Sequence, residues 1–395
     1  MFLAFFSCTS NPQPATAAAD TFSLLSAVEA DNEQDVKRHL SAGADASAVI
    51  QLTTTLGNLV IISDLLALGA DVNAQCGDHN SALTEATRAR HQKAAELLIQ
   101  RGANVNTMGK LGDTALHCAV ENDDEALVKH LLSAGADQGD GSLRIASAMG
   151  NVNVAQLLLE RGADIDAATL VAGVRSGSAQ IVQLLFDHAN ADIDLKGALE
   201  AAAETGHRQI FQILREKGAA VDGDILSTAA LNGRKGIVQL ITEQGIEEGY
   251  GKALYAAAKG GHLRIIQFLL AKGANINAEA DFDDTALRAA VAHDQGDIVK
   301  SLLLAPDVSH FDGFALQYAV GWGRTQLVKQ LLAAGVDADA QDGDVLVSAI
   351  RRANPRIVQI LLENGAHVHQ AALDTAKVRN HTQITELAKA SHPGF

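Results

Sequence analysis

Three cysteines and one closely spaced pair of histidines are the residues of this 395-residue chain best suited to chemistry. Cys8, Cys76 and Cys118 form no C-x-x-C pair, and their odd number argues against a disulfide framework and for a reducing compartment. His367 and His369 form an H-x-H pair, which supplies two ligands where a structural zinc ion needs four. The sequence therefore predicts no metal site, and nothing in it calls for a cofactor.

The sequence also lacks the motifs of the common enzyme classes. The glycine-rich stretch GKALYAAAKGGH (251–262) does not contain the G-x-x-x-x-G-K-[ST] pattern of a phosphate loop. No G-x-S-x-G, H-E-x-x-H or kinase signature occurs. We therefore expect no enzyme activity. The alternative is an enzyme with a hidden site, which a deep pocket lined by carboxylates of perturbed pKa would reveal.

The composition restricts the class of protein further. The formal net charge is -16, which argues against nucleic acid as a partner, because nucleic-acid binding relies on basic patches. Hydrophobic residues make up 47% of the chain but aromatic residues only 4%, so Ala, Leu, Ile and Val must form the core, and they favour helices. No segment approaches the roughly 18 to 20 apolar residues of a membrane span.

The N-terminal stretch MFLAFFSCTSNPQPATAAAD (1–20) has two interpretations. It resembles the end of an exported lipoprotein signal followed by a tether, with Cys8 as the acylated residue. Against this, no Lys or Arg precedes the apolar run, and the run is short for a signal. We therefore expect a disordered leader over residues 1–21 and a cytoplasmic protein. The alternative is an exported, periplasmic or lipid-anchored protein attached through Cys8.

The rest of the chain repeats one phrase. LLALGADVNA (65–74), LLERGADIDA (158–167) and LLAKGANINA (269–278) are copies of it, and an apolar, alanine-rich phrase precedes each copy, as in ALYAAAKGGHLRIIQFLL (253–270). The glycine of each phrase, or the residue in its place, returns every 26 to 34 residues at twelve positions, and a thirteenth copy, LDTAKVRNHTQITELAKA (373–390), lacks it. Internal repeats of this length indicate an array of small stacked elements.

Each unit has the pattern of two short helices joined by a turn. In DTALHCAVENDDEALVKHLLSAGAD (113–137), Thr114 is placed to cap the first helix, and a turn follows near Asp123. The second helix presents an apolar stripe that includes Leu127 and Leu131. Gly135 supplies the left-handed residue that ends it, and Asp137 is placed to bond the backbone of the next loop.

These units resemble the ankyrin repeat family. The resemblance rests on DTALHCAVEN (113–122), DDTALRAAVAH (283–293) and AAAKGGHLRIIQFLLAKGANINA (256–278). It implies an all-α solenoid of stacked antiparallel helix pairs, one repeat domain over residues 22–390 with a short tail at 391–395, and a role in binding other proteins. It also makes His117, His207 and His262 structural residues that bond turn backbone.

Several units depart from the family pattern. Only three reach the family period of about 33 residues and have room for a hairpin finger, at residues 74–81, 107–113 and 278–284. The units of 26 to 30 residues should have short loops, so the row of fingers should be interrupted.

In this family the residues before the turn between the helices point into a concave groove. The register places His293, Trp322, Arg351, Arg352 and Arg379 there. Trp and Arg are enriched at binding hot spots, so we expect this groove to bind an acidic or phosphorylated segment of a protein partner. The alternative is that Trp322 fills space beside Gly321 and the arginines are ordinary surface charge.

The fingers form a second candidate surface, with His79, Lys110 and Phe282 as its binding residues, although Phe282 could instead pack on a neighbouring finger. We expect a non-catalytic scaffold, adaptor or inhibitor that is monomeric by itself. Family analogy adds a bacterial effector as one such role, and an exported, lipid-anchored binding protein of a bacterial envelope is the alternative.

Overall fold

The computed structural model describes residues 23–47, 49–75, 80–109, 112–139, 141–189, 193–247, 249–280, 284–305, 313–379 and 386. These residues are helical or lie in turns and short loops, and none belongs to a strand longer than a single bridge residue. The all-helical architecture predicted from the sequence is therefore confirmed. The chain divides into two compact units, Met1–Asp194 and Leu195–Phe395.

Among the described residues of the first compact unit, a helical segment over residues 23–29 precedes eleven helices. They are α1 (Glu33–Ser41), α2 (Ile50–Leu56), α3 (Leu59–Ala67), α4 (Ala82–Arg88), α5 (Gln92–Gln100), α6 (Ala115–Glu121), α7 (Glu125–Ser133), α8 (Ser142–Met149), α9 (Val152–Glu160), α10 (Ala167–Ser176) and α11 (Ala179–His188). Even-numbered helices are the first of each repeat unit, and odd-numbered helices are the second.

The second compact unit continues the same alternation. Its helices are α12 (Lys196–Thr205), α13 (Arg208–Glu216), α14 (Gly223–Leu231), α15 (Lys235–Thr242), α16 (Tyr250–Gly260), α17 (Leu263–Ala271), α18 (Ala286–Ala292), α19 (Gly296–Leu303), α20 (Gly313–Gly321), α21 (Thr325–Ala333), α22 (Asp344–Arg351), α23 (Pro355–Glu363) and α24 (Gln370–Val378). A short 3-10 turn, Gln341–Gly343, precedes α22.

The unit built from α6 and α7 follows its sequence signals closely. The hydroxyl of Thr114 accepts from the backbone N–H of His117 at 3.2 Å, and the ring of His117 accepts from the backbone N–H of Thr114, which completes a capping box. Leu127 and Leu131 are buried on α7. Gly135 has φ +89° and ends the unit. The predicted cap, buried stripe and helix stop are all confirmed.

Burial explains why the units stack. Within each compact unit, a first helix packs against the second helix of its own repeat and against the neighbouring first helices, as α4 does with α5, α2 and α6. Second helices pack on second helices, as α3 does on α5. Because each unit is only two helices thick, its apolar side chains are covered only when neighbours are present on both sides.

The loops differ in length as the period predicts. The link 161–166 joins α9 to α10 in a shortened unit, whereas 101–114 joins α5 to α6 in a full-length one. At the base of that longer loop the N–H of Gly109 donates to the carbonyl of Asp113 at 2.9 Å, and Ala280 donates to Asp284 at 2.8 Å in another. Two of the three predicted fingers therefore close as hairpins at their base, and the tips of all three lie outside the described residues.

The turn between the two helices of a unit requires one residue in the left-handed backbone region. Gly323 takes this position between α20 and α21 with φ +71°, and Ala353 takes it between α22 and α23 with φ +54°. A β-carbon in this region clashes with its own backbone, which costs about 1 kcal/mol. The turn at Ala353 is therefore strained, whereas the turn at Gly323 is not.

We predict opposite effects for two reciprocal substitutions at this turn. Ala353→Gly removes the strain and should raise the free energy of unfolding by up to about 1 kcal/mol, less the entropy that glycine adds to the unfolded chain. Gly323→Ala should lower it by about 1 kcal/mol. A β-carbon at Gly323 meets no atom closer than 3.9 Å, so this loss reports the backbone alone. Urea denaturation measures both, and a change of the same sign in both variants would contradict the assignment.

Candidate partner-binding surface

Five of the predicted binding residues occupy equivalent positions in neighbouring repeats. Arg351 is the last residue of α22 and Arg352 is its C-cap, while His293 and Arg379 are the C-caps of α18 and α24. Trp322 directly follows α20. All five side chains are exposed. The other three predicted residues, His79, Lys110 and Phe282, lie outside the described residues.

Trp322 projects into solvent although it is the only tryptophan of the chain. Its side chain is 66% exposed, and its backbone N–H donates to the carbonyl of Tyr318 at 2.9 Å, which continues the helical pattern by one residue. A β-carbon at Gly321 would meet no atom within 4 Å, so open space remains there. The geometry therefore disagrees with the alternative that the indole fills a gap beside Gly321.

Arg351 and Arg352 are exposed cations at the end of α22, which is the first helix of the repeat after the one that carries Trp322. α22 packs against α20, so the end of one helix lies beside the end of the other. Neither guanidinium has a carboxylate within salt-bridge distance in the part of the chain that the structure describes. Two unneutralised guanidinium groups beside an exposed indole make a surface suited to a carboxylate or phosphate flanked by an apolar group.

Arg379 has a different role from its neighbours. Its Nη1 donates to the backbone carbonyl of Arg351 at 3.1 Å and so satisfies the end of α22 from the following unit. The same bridge recurs where His262 Nε2 donates to the carbonyl of Leu231 at 2.9 Å, as the family resemblance implied for that histidine. Arg379 is thus partly committed to holding two units together.

His293 belongs to a unit that carries negative charge. The next residue, Asp294, accepts from Arg324 Nη1 at 2.8 Å, which joins the turn of this unit to the turn after Trp322. Asp297 is also exposed on the same turn. The cationic surface predicted from the sequence is therefore interrupted at His293.

Exposed apolar side chains at the same position of several repeats, in both compact units, were not singled out from the sequence. Besides Trp322, large hydrophobic residues at the ends of first helices are exposed by 39% to 82%: Leu56, Met149, Leu231 and Val378. Each is the last residue of α2, α8, α14 or α24. The repeat register alone could have revealed this, because all of them precede the turn between the helices.

The described part of the chain contains two notable depressions, of which only the first lies away from these helix ends. One, of about 480 Å³, is lined by Asp222, Gly223, Asp224, Gly249, Gly251, Lys252 and Glu279. The other, of about 310 Å³, lies around Met149 and Asn151. Neither lining includes a Ser, Thr, Cys or His that could act as a nucleophile or a neutral base.

Cys118 is buried on α6 next to charged side chains. Burial raises the pKa of its thiol to about 11, although the nearby Arg88 guanidinium acts in the opposite direction. The carboxylates of Asp113 and Glu121 raise the pKa further. A thiol with these surroundings is mostly protonated at neutral pH and is a poor nucleophile.

His367 of the predicted H-x-H pair bonds a carboxylate. Its Nδ1 contacts Asp339, and its backbone N–H donates to the same side chain at 2.7 Å. His369 lies 6.4 Å from it between ring centroids and covers Gly343, where a β-carbon would collide with the ring. Among the described residues no three metal-ligating groups are placed to hold an ion.

Comparison with known proteins agrees with the geometry. A family model described as ankyrin repeats matches residues 24–140, 104–169, 143–225 and 226–312. The chain belongs to the ankyrin repeat family. Ankyrin repeats form protein-interaction domains and are generally non-catalytic.

Three relatives of this ankyrin repeat protein are longer than it and differ from one another. The chain is 28% identical over 208 residues to the ankyrin repeat domain-containing protein SAT10 of Stachybotrys chartarum (49% of this chain, 11% of that protein). It is 27% identical over 268 residues to the ankyrin repeat and KH domain-containing protein mask-1 of Caenorhabditis elegans (62% and 9%). A mitochondrial disaggregase of Bos taurus is 36% identical over 126 residues (29% and 18%). The chain thus spans less than a fifth of each.

One structural observation bears on membrane association. Within the described residues, each helix is too short or too polar to cross a bilayer. Cys8, the residue of the lipid-anchor alternative, and Cys76 lie outside the described residues, so the location of the ankyrin repeat protein stays a prediction.

We predict that Cys118 resists alkylation in the folded protein. With Cys8 and Cys76 replaced by Ser, iodoacetamide at pH 8 should modify Cys118 about two orders of magnitude more slowly than a free cysteine, because its thiolate is scarce and buried. Mass spectrometry follows the reaction, and the same variant unfolded in urea is the control. Modification at the rate of the unfolded control would contradict the burial.

We also predict a pH window for the Asp339–His367 contact. Burial opposes ionisation of Asp339, but the hydrogen bonds from His367 outweigh it and lower the pKa of the carboxyl. The hydrogen bond and charge of Asp339 raise the pKa of His367. The stabilisation is lost as the pH rises through the raised histidine pKa, and as it falls through the lowered carboxyl pKa. It is therefore largest between roughly pH 4 and 6.5.

Urea midpoints as a function of pH test this window. The difference between wild type and His367→Gln should be greatest near pH 5.5 and should narrow toward pH 8 and below pH 3.5. His130→Gln, an equivalent change at an exposed histidine on α7, should leave the profile unchanged. A pH-independent difference for His367→Gln would exclude the ion pair.

Proposed function

We propose that this ankyrin repeat protein is a non-catalytic recognition module, a scaffold, adaptor or inhibitor, that binds an acidic segment of a protein partner. The binding site is the Trp–Arg surface, defined as Trp322, Arg351 and Arg352. One observation carries the proposal: the only tryptophan is 66% exposed, and two arginines with no carboxylate partner among the described residues lie at the helix end of the next repeat.

The apolar part of the site has a clear driving force. Covering the exposed two-thirds of an indole removes roughly 100 to 160 Å² of largely apolar surface from water. At about 25 cal/mol per Å² this corresponds to about 3 kcal/mol before the entropy of association is subtracted. A side chain of this size at the rim of a helix end is typical of a binding hot spot.

The charged part of the site selects the partner. The chain has a formal net charge of -16, so most of its surface repels an acidic segment. Arg351 and Arg352 are a local exception, and their guanidinium groups form bidentate hydrogen bonds with carboxylates. An acidic partner would therefore be directed to this surface and away from the rest of the molecule.

Selection of peptides from a displayed random library on the full chain tests the proposal. The selected peptides should be rich in Asp and Glu. The double variant Trp322→Ala, Arg352→Ala should bind them at least tenfold more weakly, which corresponds to about 1.4 kcal/mol. Because Trp322 is exposed, its removal should change the melting temperature little.

The matched control is Leu304→Ala, Lys329→Ala. It also removes an exposed apolar side chain and one positive charge from the second compact unit, but away from the Trp–Arg surface. This control should bind the selected peptides as wild type does. Selected peptides that bind the Trp322→Ala, Arg352→Ala variant with unchanged affinity would refute the proposed site.

A further inference from the structure

Charged side chains in the second compact unit are divided between two edges of the helix array. The turn edge, where first helices end and second helices begin, carries exposed cations: Arg208, Lys235, Lys259, Arg264, Arg351 and Arg352. The loop edge, where second helices end, carries exposed carboxylates: Asp222, Asp224, Glu247, Glu279, Asp337 and Asp344. The loop edge also carries the exposed Lys217, Lys252 and Lys272, but carboxylates outnumber them there, so an anionic partner is attracted mainly to the turn edge.

The turn edge is not evenly basic. Lys259 and Arg264 flank one turn, between α16 and α17, and none of the described carboxylates lies within salt-bridge distance of them. The next turn carries Asp294 and Asp297, both exposed. The turn after that presents Trp322, since the cation beside it, Arg324, is bonded to Asp294. Arg351 and Arg352 follow on the fourth turn.

This order leaves two cationic clusters three units apart. Packed helices are about 8 to 10 Å from one another, so equivalent positions three units apart are separated by about 24 to 30 Å. An extended chain advances about 3.1 to 3.4 Å per residue. About seven to ten residues of an extended segment, taken below as about nine, therefore span from one cluster to the other.

We infer that the partner segment is bipartite, and this inference rests on the proposed function. It is an extended protein segment with two acidic clusters about nine residues apart and a non-acidic, apolar stretch between them. One acidic cluster pairs with Arg351 and Arg352, and the other pairs with Lys259 and Arg264. The stretch between them covers Trp322 and passes the carboxylates of Asp294 and Asp297.

The same features favour a protein segment over a nucleic acid. Duplex DNA carries one charge for about every 1.7 Å of its axis and offers no uncharged interval. Such a ligand would place phosphates against Asp294 and Asp297 and against the indole of Trp322. A polypeptide can omit its charges at these two turns and keep them at the flanking ones.

The fluorescence of Trp322 provides the assay, because the chain has no other tryptophan. The bipartite peptide has two Glu-Glu pairs separated by about nine neutral residues with a central leucine. The control peptide has the same composition with all four glutamates adjacent. Titrated into the full chain, the bipartite peptide should bind at least tenfold more tightly. Equal affinities would overturn the inference.

A third peptide separates this geometry from simple charge attraction. It replaces the two central residues of the bipartite peptide with glutamate. General electrostatics predicts tighter binding for this more acidic peptide, whereas repulsion by Asp294 and Asp297 predicts weaker binding. Tighter binding would contradict the bipartite arrangement, and so would an oligothymidylate of matched charge that binds as tightly as the bipartite peptide.

Protein variants test the second cluster directly. The double variant Lys259→Ala, Arg264→Ala should weaken the binding of the bipartite peptide at least fivefold. It should not change the affinity of a half peptide with one Glu-Glu pair and the leucine. The control variant Lys300→Ala, Lys329→Ala removes the same charge from the second helices α19 and α21. It should change the affinity of neither peptide. An unchanged affinity of the bipartite peptide for the first variant would overturn the inference.

The two proposals fail in distinguishable ways. Library-selected peptides that bind independently of Trp322 and Arg352 refute the proposed function. Selected peptides that depend on both residues, together with bipartite and control peptides of equal affinity, refute only the second cluster at Lys259 and Arg264.

Discussion

Several first helices of this protein end in backbone carbonyls that their own unit leaves open, and a side chain of the next unit supplies the donor. Asn122 Nδ2 donates to the carbonyl of Thr87 at 2.6 Å, and Arg234 Nε donates to that of Glu204 at 2.7 Å. Histidine does the same when His91 bonds the carbonyl of Thr55 at 3.0 Å. The last carbonyls of a helix need such partners, so a unit is complete only when another follows it.

This capping between repeats determines which side chains at the turn edge are available to a partner. The backbone at the helix ends is held from two sides, while side chains that take no part in capping project outward from a fixed position. Trp322, Arg351 and Arg352 are of this second kind, and exchanging them disturbs no core contact. A surface arranged in this way is preorganised, so a partner loses little free energy in ordering it.

The opposite edge is held by a second set of side-chain contacts. Asn104 Oδ1 accepts from the N–H of Asn106 at 3.0 Å, and Asn106 Oδ1 accepts from the N–H of Asp137 in the next unit at 2.8 Å. In the same way, Asp339 Oδ1 accepts from the backbone N–H of His367 in the next repeat at 2.7 Å. Because Asp and Asn fill these roles, negative charge collects at the loop edge for structural reasons. The cations at the turn edge thereby stay separate from most carboxylates.

The sequence by itself determined the local elements. The cap at Thr114, the buried Leu127 and the stop at Gly135 could be assigned from residue type and spacing, because each depends on backbone chemistry within a few residues. The repeat register also placed Trp322 and Arg351 on equivalent helix ends. Register is periodic, so it transfers from one unit to the next without knowledge of the packing.

Only the tertiary structure decided which of these side chains are available to a partner. In the structure, Arg379 is hydrogen-bonded to the carbonyl of Arg351 and Arg324 forms a salt bridge with Asp294, whereas the indole of Trp322 is exposed. These outcomes depend on distances between residues about thirty positions apart in the chain. No local pattern contains those distances, because they arise from how one unit packs on the next.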